Sequence, residues 1–120
     1  MSPQTAKRLL DARNAAHEIM GFTSGRHLDD MWNDRGLQLS LHKLLEIVGE
    51  ALNQAGKSDP ETASRIPNLR RFVDMRNQIT HGYDSVDYAV VWQVATERIP
   101  SLVSVLDTLL KQAPPALESD

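Results

Sequence analysis

The stretch Leu37-Gln38-Leu39-Ser40-Leu41-His42-Lys43-Leu44-Leu45-Glu46-Ile47-Val48-Gly49-Glu50-Ala51-Leu52-Asn53-Gln54-Ala55 decides the fold class. Leu37, Leu41, Leu44, Leu45, Val48, Ala51 and Leu52 recur at spacings of three and four, which places them on one stripe of an α-helix, with Gln38, Lys43 and Asn53 largely off it. A stripe that wide must be covered by other elements, so the stretch predicts a core helix. Gly56 reads as the residue just past its end, and 57–64 as a polar loop or a single turn.

The flanking sequence continues the helical pattern. Ser2-Pro3 suits a helix start, because a serine hydroxyl caps free N–H groups and proline fits the first turn. The first helix is expected to run to about Met20, with Leu9, Leu10, Arg13, Ala16 and Met20 along its stripe, and residues 21–25 to form a loop. A short helix follows over 27–34. Beyond the central stretch, Pro67 is expected to open a helix carrying Leu69, Phe72, Val73, Arg76, Ile79 and Thr80, ended by Gly82. Asp84 or Ser85 then caps a helix over 86–98, with Val90, Val91 and Val94 inward. Pro100 kinks or restarts it, and Leu102, Val105, Leu106 and Leu109 stripe the last helix. Ala113-Pro114-Pro115 stops that helix, leaving 113–120 as a flexible tail. The expected architecture is all-α, an antiparallel bundle of four to five helices forming one domain over 1–112.

Composition limits the chemistry. The 120 residues, 41% hydrophobic, suit one modest core. With no cysteine, thiolate nucleophiles, disulfides and Cys-ligated metals are excluded. No apolar run approaches the roughly 18 residues of a membrane span, and no secretion signal opens the chain, so a soluble cytoplasmic protein is expected. The net charge of −3 gives no overall attraction for nucleic acid, although Arg65, Arg70, Arg71 and Arg76 cluster around a single acid, Asp74.

The segment Arg76-Asn77-Gln78-Ile79-Thr80-His81-Gly82-Tyr83 carries the candidate chemistry. Histidine, which ordinarily titrates near neutrality, can take a proton from a ribose 2'-hydroxyl or give one to a leaving 5'-oxygen. Arginine can hold a phosphate through paired N–H bonds and stabilise transition-state charge. Asn77, one turn below His81, can orient the imidazole or bond a phosphate oxygen. On a regular helix, however, His81 points about 140 degrees away from Arg76 and sits about 7.5 Å further along the axis. Either the helix end distorts at Gly82, or two copies of the segment meet across a two-fold axis.

The same residues fill the pattern R-x-x-x-x-H-x-Y, with asparagine after the arginine, and the chain here resembles the HEPN superfamily and its HepT-like toxins. Ile47-Val48-Gly49-Glu50-Ala51, Ile66-Pro67, Val91-Trp92 and Ile99-Pro100 extend the resemblance from Leu9 to Leu110. It departs at Asn68, where relatives often carry tryptophan. The resemblance implies a homodimeric helical bundle with Arg76 and His81 of both subunits around a cleft. It further implies metal-independent endoribonuclease activity with no cofactor, in line with the 2',3'-cyclic phosphate and 5'-hydroxyl products expected from the histidine and arginine chemistry. The implied partner is an MNT-type nucleotidyltransferase antitoxin of a type VII pair, which silences the toxin by transferring AMP to the motif tyrosine, here Tyr83.

Catalytic roles thus fall on Arg76, Asn77 and His81, and support or RNA contact on Glu50, Arg70, Arg71 and Thr80. Gly49 can let another helix approach closely. Glu50 is then either an exposed carboxylate or a contact that orients the active-site arginine. Arg65, Arg70 and Arg71 are either a solvated face or phosphate contacts. His42 and Glu46, one turn apart, read as a solvated pair rather than metal ligands, and no metal is assigned. His17 and His27 suit surface or loop roles, and Trp32 and Trp92 core or dimer contacts. The competing function is a non-catalytic HEPN binding subunit that partners a nucleotidyltransferase.

Overall fold

The side chain of Ser2 accepts the Thr5 N–H at 3.1 Å and Pro3 occupies the first turn, so helix α1 (Pro3–Thr23) begins where its sequence predicts. The computed structural model describes residues 1–112, with the side chain of Tyr83 left out. The expected tail, 113–120, lies outside the described residues.

Helix α1 runs one turn further than the spacing suggests, through Gly21 to Thr23, and the chain reverses at Gly25, whose φ of 73° suits glycine. Its buried face is Leu9, Ala12, Ala15, Ala16 and Ile19, so the stripe is rotated from the one expected. Leu10, Arg13 and Met20 lie at its margin, where the Arg13 guanidinium meets Asp107 at 2.8 Å. The small alanines let the neighbouring helices come close, a packing reason that hydrophobicity alone does not register.

Helix α2 (Leu28–Asn33) buries Met31, and Asp34 then caps α3 (Arg35–Ser58) by accepting the Leu37 N–H at 3.0 Å. That bond, followed by the nearby Arg26 guanidinium, holds the Asp34 carboxyl below its ordinary pKa. The core helix predicted around Leu41, Leu45, Val48 and Leu52 is present, with all four side chains buried. Gly56 does not end it. The helix continues to Ser58, because the stop is supplied by Asp59, whose carboxylate caps the single turn α4 (Pro60–Ala63).

Two polar residues expected outside the core are inside it. Gln38 is buried, donating to the Met31 carbonyl at 2.6 Å and accepting from the Tyr88 hydroxyl at 2.9 Å. His42 is buried beside the Tyr88 ring rather than solvated with Glu46, and burial, then the Arg35 charge, lowers its pKa. Both reside on α3 where α2 and the Tyr88 turn cover it, a shielding that comes from distant sequence.

Helix α5 (Leu69–Gly82) opens two residues later than Pro67 implies. Asn68 occupies the left-handed region with φ 63° and its carbonyl accepts the Arg71 N–H at 3.0 Å. Asparagine tolerates that conformation better than a bulky side chain does, which accounts for its presence at this turn. A 3-10 turn over Tyr83–Ser85 follows α5. The next cap is Asp87, not Asp84 or Ser85; it accepts the Ala89 N–H at 2.8 Å, and Ser85 instead donates back to the Gly82 carbonyl.

Helices α6 (Tyr88–Gln93) and α7 (Ile99–Leu110) are joined through a π-helical stretch, Val94–Arg98, where the Ile99 N–H bonds the Val94 carbonyl. Pro100 has no N–H and crowds the preceding turn, and widening that turn accommodates it. Val91 and Ala95 face the core, while Val90, expected inward, is 42% exposed on the outer side of α6. Trp92 packs partly against the core, whereas Trp32 stays 54% exposed with its ring 5.1 Å from that of Tyr88.

The long rods α1, α3, α5 and α6–α7 alternate in direction. Thr5 meets Ser58 and Arg65 meets Gln112 at one end, while Glu46 meets Thr80 toward the other. The expected all-α antiparallel bundle is what forms, 44 × 28 × 22 Å, with no strand among the described residues. Its single core is drawn from every long rod, and among the described residues no helix is long and apolar enough to cross a membrane.

Candidate active site

Gly49 brings the site together. Helices α3 and α5 cross so closely there that a Cβ on Gly49 would lie 2.3 Å from Arg76 Cβ and 2.8 Å from the Phe72 carbonyl oxygen, both below any real contact. Only the absence of a side chain permits this crossing, and it delivers Arg76 to the next α3 residue. The Arg76 Nη2 stands 2.6 Å from Glu50 Oε2, with the two side chains 28% and 41% exposed. Glu50 is therefore paired with the arginine, not a carboxylate directed only at solvent.

The guanidinium is held on a second side as well. Arg76 Nη1 donates to Asn77 Oδ1 at 2.8 Å, so within this chain Asn77 serves the arginine rather than the histidine it shares a stripe with. Gln54 donates to the other Glu50 oxygen at 2.8 Å. One turn on, Thr80 donates to Glu46 at 3.2 Å, and Lys43 approaches the same carboxylate at 3.3 Å. Arg76, Thr80, Glu46 and Glu50 share a cleft of about 550 Å³ between α1, α3 and α5. Its α1 wall brings Arg8, Asp11 and Glu18, so the cleft carries charge of both signs.

His81 is not in that cleft. It is exposed at the last turn of α5 and lines a separate cavity, also about 550 Å³, with Gln78, Ser85, Asp87 and Val90. The 140-degree separation set by the helix is kept, since α5 remains regular through Gly82. A distorted helix end, one of the two expected routes to a local site, is thereby removed for the single chain. Arg70 pairs with Asp74 at 3.4 Å on the exposed face of α5, and Arg71 lines a groove toward α6. Tyr83 opens the 3-10 turn immediately after α5.

Glu46, read from the sequence only as solvated beside His42, meets Thr80 instead, and Gln54 received no role from the sequence. Their signal was available: both lie one turn from Glu50 on α3, and a carboxylate a turn away on the glycine-flanked face would reach the same neighbour.

The profile of the family Ribonuclease HepT-like matches residues 12–109, from α1 to α7. The chain belongs to the HepT-like ribonuclease family. The match spans Glu50, Arg76, Asn77, Thr80, His81 and Tyr83. Among relatives of this HepT-like chain, one from Thermococcus cleftensis, named a probable ribonuclease HepT, is 32% identical over 103 residues, covering 86% of this chain and 93% of its own. A relative from Methanocaldococcus jannaschii, whose name assigns RNase activity only provisionally, is 27% identical over 103 residues, covering 86% and 84%. Another, provisionally named in the same way, comes from Caldanaerobacter subterraneus subsp. tengcongensis and is 28% identical over 88 residues, covering 73% and 78%. No solved structure gives a significant match.

Proposed function

We propose that the chain is a metal-independent endoribonuclease that acts as the toxin of a type VII, MNT-HEPN, pair. The observation carrying this reading is the arginine clamp: in a chain of the HepT-like family, Arg76 is fixed at a cleft by Glu50 and Asn77 on two sides. A guanidinium held in this way loses little further freedom when a phosphate arrives, which favours charge stabilisation in the transition state.

The ribose 2'-oxygen attacks the adjacent phosphorus as the bond to the 5'-oxygen breaks. His81 carries one of the two proton transfers, from the 2'-hydroxyl or to the 5'-oxygen, water exchanges the other proton, and Arg76 stabilises the pentavalent phosphorus. Because Arg76 and His81 open onto different cavities of one protomer, the working site is composite, formed in a homodimer from Arg76 of one subunit and His81 of the other. Exposed Leu39 and Ile47 on α3, the latter lining the Arg76 cleft, support an apolar contact beside it. Thr80 supports the arginine side of the site, and Arg70 and Arg71 extend positive charge along α5 toward RNA phosphates.

An MNT-type nucleotidyltransferase is the proposed antitoxin. The Tyr83 hydroxyl attacks the α-phosphorus of ATP, pyrophosphate leaves, and the AMP ester adds negative charge and bulk beside the cleft. The test is cleavage of varied RNAs by purified protein in chelator, with cyclic-phosphate ends identified by mass. Wild type should cut, and His81→Ala should not while keeping its fold and mass. Folded, unmodified wild type that cuts nothing would replace this reading with that of a non-catalytic HEPN subunit bound to the nucleotidyltransferase.

A further inference from the structure

A groove of about 230 Å³ separates α5 from α6 and the π-helical stretch. Arg71 and Gln78 stand on one wall and Gln93, Val90 and Arg98 on the other. Gln78 and Val90 also line the His81 cavity, so groove and cavity form one path along α5. Arg71 is exposed and Arg98 half-buried. Neither makes an ion pair or a side-chain hydrogen bond with a described residue; Asp74, which also lines the groove, pairs with Arg70 at 3.4 Å, and Glu97 accepts from Gln93 at 3.3 Å. Two guanidiniums on the walls of one groove offer N–H donors from both sides to an anion with several oxygens.

We propose that Arg71 and Arg98 form a phosphate subsite for single-stranded RNA, on a groove that leads the strand to His81; this rests on the ribonuclease reading above. Ten residues separate Arg71 from His81, about 15 Å along the helix axis, so the phosphate held here belongs to a nucleotide away from the cleaved bond. The contact reads the backbone and not the base, and it gives an acidic protein a local foothold for RNA.

The test is binding of a fluorescent single-stranded RNA with 2'-O-methyl riboses, which cannot be cut, to the full chain across a salt series. Replacing both arginines, Arg71→Gln with Arg98→Gln, should weaken binding on the order of tenfold for every base sequence, and should flatten the log–log salt slope by about 0.7, one single-strand phosphate contact. The double lysine variant, Arg71→Lys with Arg98→Lys, should keep most of the slope. Equal affinity and slope for wild type and the glutamine variant would overturn the subsite, as would a wild type that does not bind. So would a change in sedimentation mass in that variant, which would give the groove to a second copy of the chain. Cleavage of unmodified RNA is scored separately: cutting by wild type with unchanged variant binding sinks the subsite alone, whereas arginine-dependent binding without any cutting sinks the ribonuclease reading alone.

Discussion

Gly49 and Arg76 are in contact at the α3–α5 crossing at a distance that leaves no room for a Cβ on residue 49. The atoms in the way are the Arg76 Cβ and a backbone carbonyl, neither of which is a flexible side-chain end. Gly49→Ala should therefore push the helices apart, destabilising the fold by about 1–3 kcal/mol as overpacking does. It should also displace Arg76 from Glu50. Denaturant unfolding and RNA cleavage measured together check this; a variant as stable and as active as wild type would mean that the crossing readily adjusts.

Glu50→Gln removes the charge that faces Arg76 while keeping the size of the side chain. The pair is partly solvated, so stability should change by no more than about 1 kcal/mol. As a positioning residue, Glu50 should show itself in kcat, lowered on the order of tenfold with KM little altered. A loss of melting temperature with kcat intact would reduce it to a structural ion pair.

If the proposed composite dimer is the working unit, Arg76→Ala and His81→Ala should each be inactive alone, yet activity should return when the two are unfolded, mixed and refolded. Each mixed dimer then carries one intact pair of Arg76 and His81 from opposite subunits, and random pairing restores up to about a quarter of wild-type activity. No recovery in verified mixed dimers would place both groups of the working site on one chain.

The buried His42 predicts a pH dependence of stability. Burial, and then Arg35, puts its folded pKa below the ordinary value of 6.5, so below that pH the unfolded chain takes up a proton that the folded one resists. The contribution is complete above 6.5 and is lost as pH falls toward and through the lowered folded value. Melting temperature should hold from pH 8 to 7 and decline from there to 5, and His42→Leu should flatten that decline. Identical profiles for the two proteins would exclude His42 as its source.

Co-expression with a nucleotidyltransferase from the same genome should add one AMP to the intact mass and abolish RNA cleavage. Tyr83→Phe should remain unmodified and active in the same cells. Modification that persists in Tyr83→Phe would move the control point to another residue.

Periodicity made the helices legible because burial at every third or fourth position is a local property. The Leu41–Leu52 stripe and the Ser2-Pro3 start needed nothing beyond their own residues. Helix ends were less legible: Gly21 and Gly56 are tolerated inside helices when the real stops, Gly25 and Asp59, lie a few residues on. Gln38 and His42 could not be seen as buried, since Tyr88, fifty residues beyond Gln38, supplies the cover for both.

The sequence by itself determined an all-helical chain, the membership of Arg76, Asn77 and His81 in one helical segment, and the angular offset that keeps Arg76 and His81 from converging, because helical geometry fixes all three. Tertiary structure alone decided which groups meet. The Gly49 crossing sets Glu50 against Arg76, and the proline-widened turn sets Arg98 across a groove from Arg71, since contacts between helices depend on how closely and at what rotation the rods pack.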